Sequence, residues 1–351
     1  MSFSDVRIII DKSIPKGVYM KKILMIGTGG TIASMPTEHG LIPELSTHEL
    51  LEKVPSLKQM AWIKTIQLIN MDSTNIRPSH WLEIARTIRK NYEDFDGFVI
   101  THGTDTMAYT AAALGYLIQN SRKPIVITGA QIPLAAEHSD AARNLIDSLL
   151  YACDDRSYGV QIVFSGSVIT AARARKNYTK RFDAFRSINY PEIAHISGSQ
   201  ILRFIDKPYA GETIFYDSLN TNVGLLKLVP GLKSDVLRYI LDNYDGLVIE
   251  TFGTGGIPEY YDYFNEIMRA IKNGKTIVVT TQVPNEGSDI SLYEVGNLIK
   301  KTAGLLESYD MTTEACLAKL MWVLAQAKDP KEIKKLFYTP VANDMLQTKP
   351  E

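Results

Sequence analysis

The chain has 351 residues, more than a single domain usually contains, so two domains are expected. Its 38 Lys and Arg residues nearly balance its 39 Asp and Glu residues, which excludes the strong positive field that nucleic-acid binders normally carry. With 45% hydrophobic and 22% charged residues, the composition is that of a globular protein with sizeable cores.

The sequence carries no pattern typical of a disulfide framework, a metal site or a membrane span. Cys153 and Cys316 lack ligand spacing, and we interpret them as structural thiols in a reducing, cytoplasmic compartment. The six histidines form no ligand motif, so neither a metal nor another cofactor is predicted. Residues 1–20 lack a secretory signal and are interpreted as an N-terminal extension.

Short apolar runs alternate with helix-length amphipathic segments in the first half of the chain. These runs lie at 22–27, 97–101, 124–128 and 160–164. They are apolar almost throughout, as expected for parallel strands covered on both faces. Ser46 and Glu49 have capping-box spacing at a helix start, and residues 139–151 carry an apolar helical stripe. This pattern predicts an α/β domain with a mainly parallel sheet.

The alternation stops between residues 191 and 222, where Gly, Pro, Asn and Ser are frequent, and we place a linker there. Strand-like runs resume at 223–229, 246–250 and 276–280. The sequence therefore predicts a larger N-terminal α/β domain over 21–190 and a smaller C-terminal α/β domain over 223–351.

A glycine-rich turn follows the first predicted strand. Gly27 and Gly29 fit the start of a dinucleotide-binding G-x-G-x-x-G fingerprint, but Ile32 stands where its third glycine belongs. The turn instead presents the hydroxyls of Thr28 and Thr31 at a strand end, where open α/β sheets bind ligands. A plain tight turn is the alternative interpretation.

A second strand end carries more polar groups. The run at 97–101 is followed by His102-Gly103-Thr104-Asp105-Thr106, just before a predicted helix. Asp105 is either a functional carboxylate or only the cap of that helix. Because threonine hydroxyls are weak nucleophiles, a chemical role for Thr104 requires a base or relay from elsewhere in the chain.

The segments MIGTGGTIA (25–33) and GFVITHGTDTM (97–107) resemble the two active-site signatures of the bacterial-type L-asparaginases, and of their cytoplasmic type I members in particular. The resemblance extends from about Lys21 to the end of the chain. It implies the two-domain α/β fold, with residues 21–190 as the catalytic domain. It also implies an amidohydrolase that converts L-asparagine to L-aspartate and ammonia without a cofactor.

The resemblance also assigns catalytic roles. Thr31 matches the nucleophile that attacks the side-chain amide and forms a β-aspartyl ester. Thr104, Asp105 and Lys176 match a second relay, in which the lysine favours an alkoxide and Asp105 also binds the substrate α-ammonium. The alternative for Lys176 is a solvated residue in a basic run that also contains Lys180.

Further matches concern the substrate pocket. Ser73 matches the serine that receives the substrate α-carboxylate, with Asp72 beside it as a weaker candidate. A turn serine before a helix at Pro78 is the alternative. The Thr104 N–H and the region of Ala130 match positions that line the pocket and contact the oxyanion.

One departure from the family pattern concerns the loop after the first signature. The tyrosine that most members carry in this loop is absent here, and Leu41 stands in its place. In some cytoplasmic members a tyrosine of the neighbouring subunit substitutes, and Tyr293 matches it. The resemblance thus implies a homodimer or homotetramer with sites near subunit interfaces. His39, in the same loop, is the alternative relay.

A second departure concerns an effector pocket that some cytoplasmic members use for asparagine. The matching positions hold Arg175, Glu250 and Val283, which are not the usual types of that pocket. Asparagine regulation by that route is therefore not expected.

Three alternatives to an asparaginase remain. A glutaminase-asparaginase would also hydrolyse glutamine. Because glutamine is longer than asparagine by only one methylene, a pocket discriminates weakly between the two substrates. The ammonia-releasing subunit of a tRNA-dependent amidotransferase normally has another domain before this motif. A catalytically silent amino-acid-binding module would need the carboxylate and the serine, but not both threonines.

Overall fold

The computed structural model describes residues 20–37, 40–206, 211–292 and 305–346. The helices in these ranges are α1 Thr47–Lys53, α2 Leu57–Met60, α3 Pro78–Asn91, α4 Met107–Leu117, α5 Ala141–Cys153, α6 Ser234–Asn243, α7 Tyr263–Lys272, α8 Thr313–Gln326 and α9 Pro330–Tyr338. None of them combines the length and hydropathy that crossing a membrane requires.

The strands of the same ranges form one large sheet, one four-stranded sheet and three small pairs. They are β1 Lys22–Gly29, β2 Ser34–Thr37, β3 Gly40–Pro43, β4 Trp62–Met71, β5 Gly97–Thr101, β6 Ile118–Gln119, β7 Pro124–Thr128, β8 Gly159–Phe164, β9 Ser167–Thr170, β10 Ala174–Lys176, β11 Phe185–Ser187, β12 Ala194–Ser197, β13 Gln200–Arg203, β14 Ile214–Phe215, β15 Val223–Lys227, β16 Gly246–Thr251, β17 Thr276–Thr281 and β18 Leu305–Glu307.

The large sheet has the order β13-β12-β9-β8-β7-β5-β1-β4. Strands β4, β1, β5, β7 and β8 are parallel, whereas β9, β12 and β13 are joined by antiparallel pairs. Strands β5, β7 and β8 are buried along their whole length, because helices cover both faces. The predicted N-terminal strands are confirmed, and their lack of polar alternation follows from this double cover.

The helix start predicted at Ser46 is confirmed at α1, and the helix predicted over 139–151 is confirmed as α5 with a later start. At α1 the Ser46 hydroxyl accepts from the Glu49 N–H at 3.2 Å, and the Glu49 carboxylate accepts from the Ser46 N–H at 2.7 Å. Helix α5 begins at Ala141, two residues later than predicted, and the Ser139 hydroxyl accepts from the Ala141 N–H at 3.1 Å in the turn before it.

Two features of the large sheet were not predicted. Strand β4 lies at the sheet edge, and polar residues such as Lys64 and Gln67 interrupt its apolar pattern because only part of the strand is covered. Strands β12 and β13 fall in the segment predicted as a linker, yet they continue the sheet through β9. The first sheet therefore extends in sequence to Arg203.

The C-terminal region forms a parallel sheet of order β15-β16-β17-β18, which confirms the three strand-like runs predicted there. One face packs on α6 and α7, and the other on α8. Helix α8 also packs against α4 of the N-terminal region, and the side chains of both helices belong to one hydrophobic cluster. A shared core thus fixes the two regions relative to each other.

Buried polar contacts reinforce this joint. The Arg173 guanidinium donates to Asp310 Oδ2 at 2.9 Å and to the Asn343 carbonyl at 2.6 Å. Lys319 Nζ donates to Asp344 Oδ2 at 2.6 Å, with both side chains fully buried. Arg173 thus ties the last described residues to the segment that leads into β10, and Lys319 ties them to α8.

Candidate active site

Turns after four parallel strands meet at one edge of the large sheet. They follow β1, β4, β5 and β7, which are consecutive in the sheet order. The turns contain, respectively, Thr31, Ser73, Thr104 and Ala130. Because parallel strands end at the same edge, four segments distant in sequence come together there. The structure thus brings these predicted residues to one edge of the sheet.

Three of the turns are in direct backbone contact, and glycine makes this possible. Gly29 and Gly30 have φ values of 95° and 79°, which favour glycine. A Cβ on Gly30 would lie 2.3 Å from the backbone nitrogen of Gly103. A Cβ on Gly103 would in turn lie 2.6 Å from Ser73 Oγ. Glycine therefore permits the close approach of the Thr31, Ser73 and Thr104 turns.

Two threonine hydroxyls hold these turns together. Thr28 Oγ1 donates to the Thr101 carbonyl at 2.9 Å, and Thr106 Oγ1 donates to the Ser73 carbonyl at 2.7 Å. Of the two hydroxyls predicted for the first turn, Thr28 is thus engaged in structure. Thr31 opens a single 3₁₀ turn and is partly exposed.

Lys176 reaches the Thr104 turn from β10, which pairs with β11. Its Nζ donates to Thr104 Oγ1 and to Asp105 Oδ1, both at 2.7 Å. The Lys176 side chain is 16% exposed, whereas that of Asp105 is 58% exposed and faces solvent in part. The structure therefore places Lys176 with Thr104 and Asp105. Lys180, the alternative in the same basic run, is exposed.

Gln131 is a member of this cluster that the sequence reasoning missed. Its Oε1 accepts from Thr104 Oγ1 at 3.2 Å, and its Nε2 donates to the carbonyls of Thr179 and Arg181 at 3.1 and 3.0 Å. The Asp140 carboxylate accepts from its backbone N–H. The only available signal was its place directly after Ala130 in the TGAQ segment.

These contacts define what Thr104 can do chemically. Its oxygen accepts one hydrogen bond from Lys176 Nζ, and its own O–H donates to Gln131 Oε1. One lone pair of the hydroxyl oxygen remains for a reacting group. A lysine ammonium at this distance lowers the free energy of an alkoxide in a buried site, so the arrangement suits a proton relay.

The predicted carboxylate subsite lies in the turn after β4. Ser73 is buried, and it begins a 3₁₀ turn. Asp72 Oδ1 accepts from both the N–H and the hydroxyl of Thr74, at 2.8 and 2.7 Å. One oxygen of Asp72 is therefore used to cap the turn, which leaves Ser73 as the better ligand for a substrate group.

The other predicted residues do not contribute to the contacts described for this cluster. Tyr293 and His39 fall outside the described residues. At the proposed effector positions, Glu250 is buried and accepts from the Thr313 hydroxyl at 2.7 Å, whereas Val283 is exposed. Both cysteines are free; Cys316 is buried, and Cys153 is partly exposed.

His102 is also part of the Thr104 turn, although the sequence suggested no role for it. The ring is completely buried, and burial lowers the pKa of His102 to about 4, so the ring is neutral near pH 7. Both ring nitrogens have hydrogen-bond partners.

Two family models match the chain. The model described as "Asparaginase, N-terminal" covers residues 22–208, and that described as "Glutaminase/Asparaginase C-terminal domain" covers residues 222–337. The first match includes β12 and β13.

The L-asparaginase of Thermococcus kodakarensis is 39% identical over 326 residues, which span 92% of this chain and 99% of that protein. The solved structure of the thermostable L-asparaginase from the same species superposes with a TM-score of 0.88 at 37% identity, covering 93% of this chain and 100% of that one. One glutamyl-tRNA(Gln) amidotransferase component, from Pyrococcus furiosus, is 37% identical over 344 residues, which span 93% of this chain and 78% of that protein.

Proposed function

The chain belongs to the asparaginase family, and on that premise we propose that it is an L-asparaginase that works through a threonine acyl-enzyme. The single observation that carries this proposal is the Lys176–Thr104–Asp105 cluster beside the Thr31 turn. It supplies a nucleophile, a relay and an anionic group for an amino acid at one edge of the sheet. A binding module would not need the two threonines together.

The first step transfers the acyl group of the side-chain amide. Thr31 Oγ1 attacks the amide carbon of asparagine, and its proton passes to the amide nitrogen through the relay. The carbon–nitrogen bond then breaks, so that one ammonia leaves and a β-aspartyl ester remains on Thr31. In the second step water adds to the ester, and aspartate and the free hydroxyl of Thr31 are released.

The substrate is a zwitterion, and the site offers a group of suitable chemistry for each of its ends. The Asp105 carboxylate retains exposed surface with which to meet the α-ammonium, while its other contact is the Lys176 ammonium. The buried Ser73 hydroxyl can donate to the α-carboxylate. Simple amides lack both charged groups, so these contacts favour an α-amino acid.

The remaining parts of the proposal concern the assembly. We propose that Tyr293 of a neighbouring subunit supplies the relay to Thr31, in a cytoplasmic homodimer or homotetramer. Turnover by Tyr293→Phe equal to that of the unaltered enzyme would refute this relay. An analytical ultracentrifugation run on the same proteins measures the assembly separately.

The amidotransferase relative supports a second candidate, in which ammonia comes from glutamine. Ammonia release from asparagine and from glutamine, measured on the purified chain, distinguishes the two. A higher kcat/KM for asparagine supports the asparaginase. A preference for glutamine supports the rival, and release from neither refutes both.

The acyl-enzyme needs its own test. Thr31→Ala and Thr104→Val are each expected to lower kcat by roughly 10³-fold, since each removes a group that acts on the reacting atoms. Rapid acid quenching followed by peptide mass spectrometry should find an added aspartyl group on the peptide that contains Thr31. An aspartyl group on the Thr104 peptide instead would reassign the nucleophile.

A further inference from the structure

The His102 ring lies at the end of a chain of hydrogen bonds that reaches the Thr104 turn. Trp81 Nε1 of α3 donates to Thr110 Oγ1 of α4 at 2.9 Å. The same hydroxyl lies 2.9 Å from His102 Nε2, and His102 Nδ1 lies 2.7 Å from the Gly103 carbonyl oxygen. Thr110 and His102 are both fully buried.

The partners allow one arrangement of protons. A carbonyl oxygen only accepts, so Nδ1 carries the hydrogen. The neutral ring has no second proton, and Nε2 therefore accepts the Thr110 hydroxyl hydrogen. The oxygen of Thr110 then accepts from the Trp81 indole. All the bonds thus point in one direction, from α3 to the carbonyl of Gly103.

That carbonyl belongs to the peptide whose N–H is contributed by Thr104. The two groups lie on opposite edges of a trans peptide, so this N–H points away from the histidine. Thr104 is only 5% exposed, and no acceptor in the described part of the chain takes its N–H. A buried donor without a partner costs free energy, unless a substrate supplies the acceptor.

We propose that His102 is a positioning residue for amide hydrolysis, whose neutral ring fixes and polarises the Gly103–Thr104 peptide so that its N–H meets the developing oxyanion. This inference rests on the proposed function. A hydrogen bond to a carbonyl oxygen draws charge across the peptide and makes the N–H of that peptide a stronger donor. The anchor at Trp81 and Thr110 keeps the ring from turning, so the donor is aligned before the substrate binds.

Two substitutions at His102 separate this role from simple packing. His102→Leu removes the donor to Gly103, whereas His102→Asn can place a side-chain N–H near the position of Nδ1. We expect His102→Leu to lower kcat by about 10- to 100-fold with KM for asparagine changed by less than about threefold, since one oxyanion donor contributes on the order of 10²-fold or more. His102→Asn should recover kcat to within roughly fivefold.

Thr110→Val tests the anchor without altering the ring. Loss of the Thr110 hydroxyl leaves Nε2 free to be protonated, which should move the acid limb of the kcat profile to higher pH. No charged side chain of the described residues contributes to the pKa of His102, so this shift reports the hydrogen-bond chain. Leu117→Ala, at the far end of α4, is the control that lowers stability without touching the chain, and it should keep its kcat.

The outcomes divide clearly when all the variants are assayed beside the unaltered enzyme. Failure of the unaltered enzyme to release ammonia refutes the proposed function itself. If that enzyme is active, a folded His102→Leu with kcat within twofold of it overturns the role of His102. Equal losses in His102→Asn, His102→Leu and Leu117→Ala overturn it as well. If His102→Leu does not fold, the other two variants test the role of His102. A kcat of His102→Asn within roughly fivefold of the unaltered enzyme and a pH shift in Thr110→Val support it, and absence of both overturns it.

Discussion

The four letters GTGG occur twice, once at the end of β1 at 27–30 and once just after β16 at 253–256. Both turns lie at the carboxyl ends of parallel strands. The first packs against Gly103, next to Thr104, and is followed by Thr31. The second closes on itself through a bridge between Phe252 and Gly256. The residue types of a turn therefore do not by themselves create a candidate active site. The groups at the neighbouring strand ends are also required.

The contacts of the second turn are structural in the described chain. Thr281 Oγ1 donates to the Gly253 carbonyl, and the Thr254 carbonyl accepts from the Asp289 N–H at 2.7 Å. A Cβ on Gly255 would lie 2.6 Å from a side-chain carbon of Ile290. By contrast, the first turn lies beside a lysine and a carboxylate supplied by other segments. Substitutions in and beside the two turns test this contrast.

The largest effect is expected at Lys176. Lys176→Met removes the ammonium that contacts Thr104 and Asp105, and kcat should fall by roughly 10³-fold because the relay loses its stabilising charge. Lys180→Met, an exposed neighbour in the same basic run, is the matched control and should keep kcat within about twofold of the original. Steady-state ammonia assays measure both. Similar losses in the two variants would contradict the role of the cluster.

The next effect distinguishes the two turns directly. Gly30→Ala forces a Cβ against the backbone of Gly103 at a φ of 79°, so the two turns must separate and kcat should fall by about 100-fold. Gly253 also has a positive φ, of 53°, but no described atom beyond its chain neighbours lies within 4 Å of the position that a Cβ would occupy. Gly253→Ala should therefore cost only about 1 kcal/mol of stability and leave activity intact. Activity lost in both variants would mean that the second turn also serves the site.

The third prediction uses pH. The ordinary pKa of histidine is 6.5 and that of buried His102 is about 4, so between these values the unfolded chain binds a proton that the folded chain does not. Stability should therefore fall as pH drops from 6.5 to 4, by about 3 kcal/mol from this group.

His102→Asn removes this titration, so the stability lost through the substitution should shrink as pH drops. Urea denaturation of both proteins at several pH values measures the difference. A difference that stays constant across this range would show that folding does not lower the pKa of His102.

The smallest effect concerns two threonines near the ends of β1 and β16, each of which donates to the neighbouring strand. Thr28 Oγ1 donates to the Thr101 carbonyl at 2.9 Å, and Thr251 Oγ1 donates to the Thr280 carbonyl at 2.7 Å. Substitution of either by Val should cost about 1 kcal/mol, the usual contribution of one buried hydrogen bond. Only Thr28→Val should also lower kcat, since its bond joins the Thr31 and Thr104 turns. Thermal denaturation and ammonia release check the pair.

Much of the fold could be predicted from local pattern. Fully apolar runs marked the central strands because such strands are buried on both faces, and the capping box at Ser46 marked α1 because its contacts are local. Strand β4 was missed because an edge strand keeps polar side chains. The hairpin of β12 and β13 was missed because its short, turn-rich segments gain their stability from β9.

The residues of the candidate site likewise include some that the sequence predicted and some that it did not. Thr31, Thr104 and Asp105 stood in recognisable signatures at strand ends, and Lys176 was chosen over Lys180 by resemblance alone. Gln131 had no such signal, since nothing local to it indicates a contact with Thr104. The roles of Asp72 and His102 likewise depend on which partners their side chains meet in the folded chain.

The sequence by itself determined the α/β alternation, the strand ends that carry polar groups and the residue types available for amide hydrolysis. These properties follow from the spacing of residue types and from local hydrogen bonds, both of which involve residues a few positions apart. The tertiary structure alone decided that β4, β1, β5 and β7 lie side by side, that Gln131 and Lys176 share Thr104, and that α8 joins the two regions. These contacts link residues tens of positions apart, and only the packing of the whole core selects them.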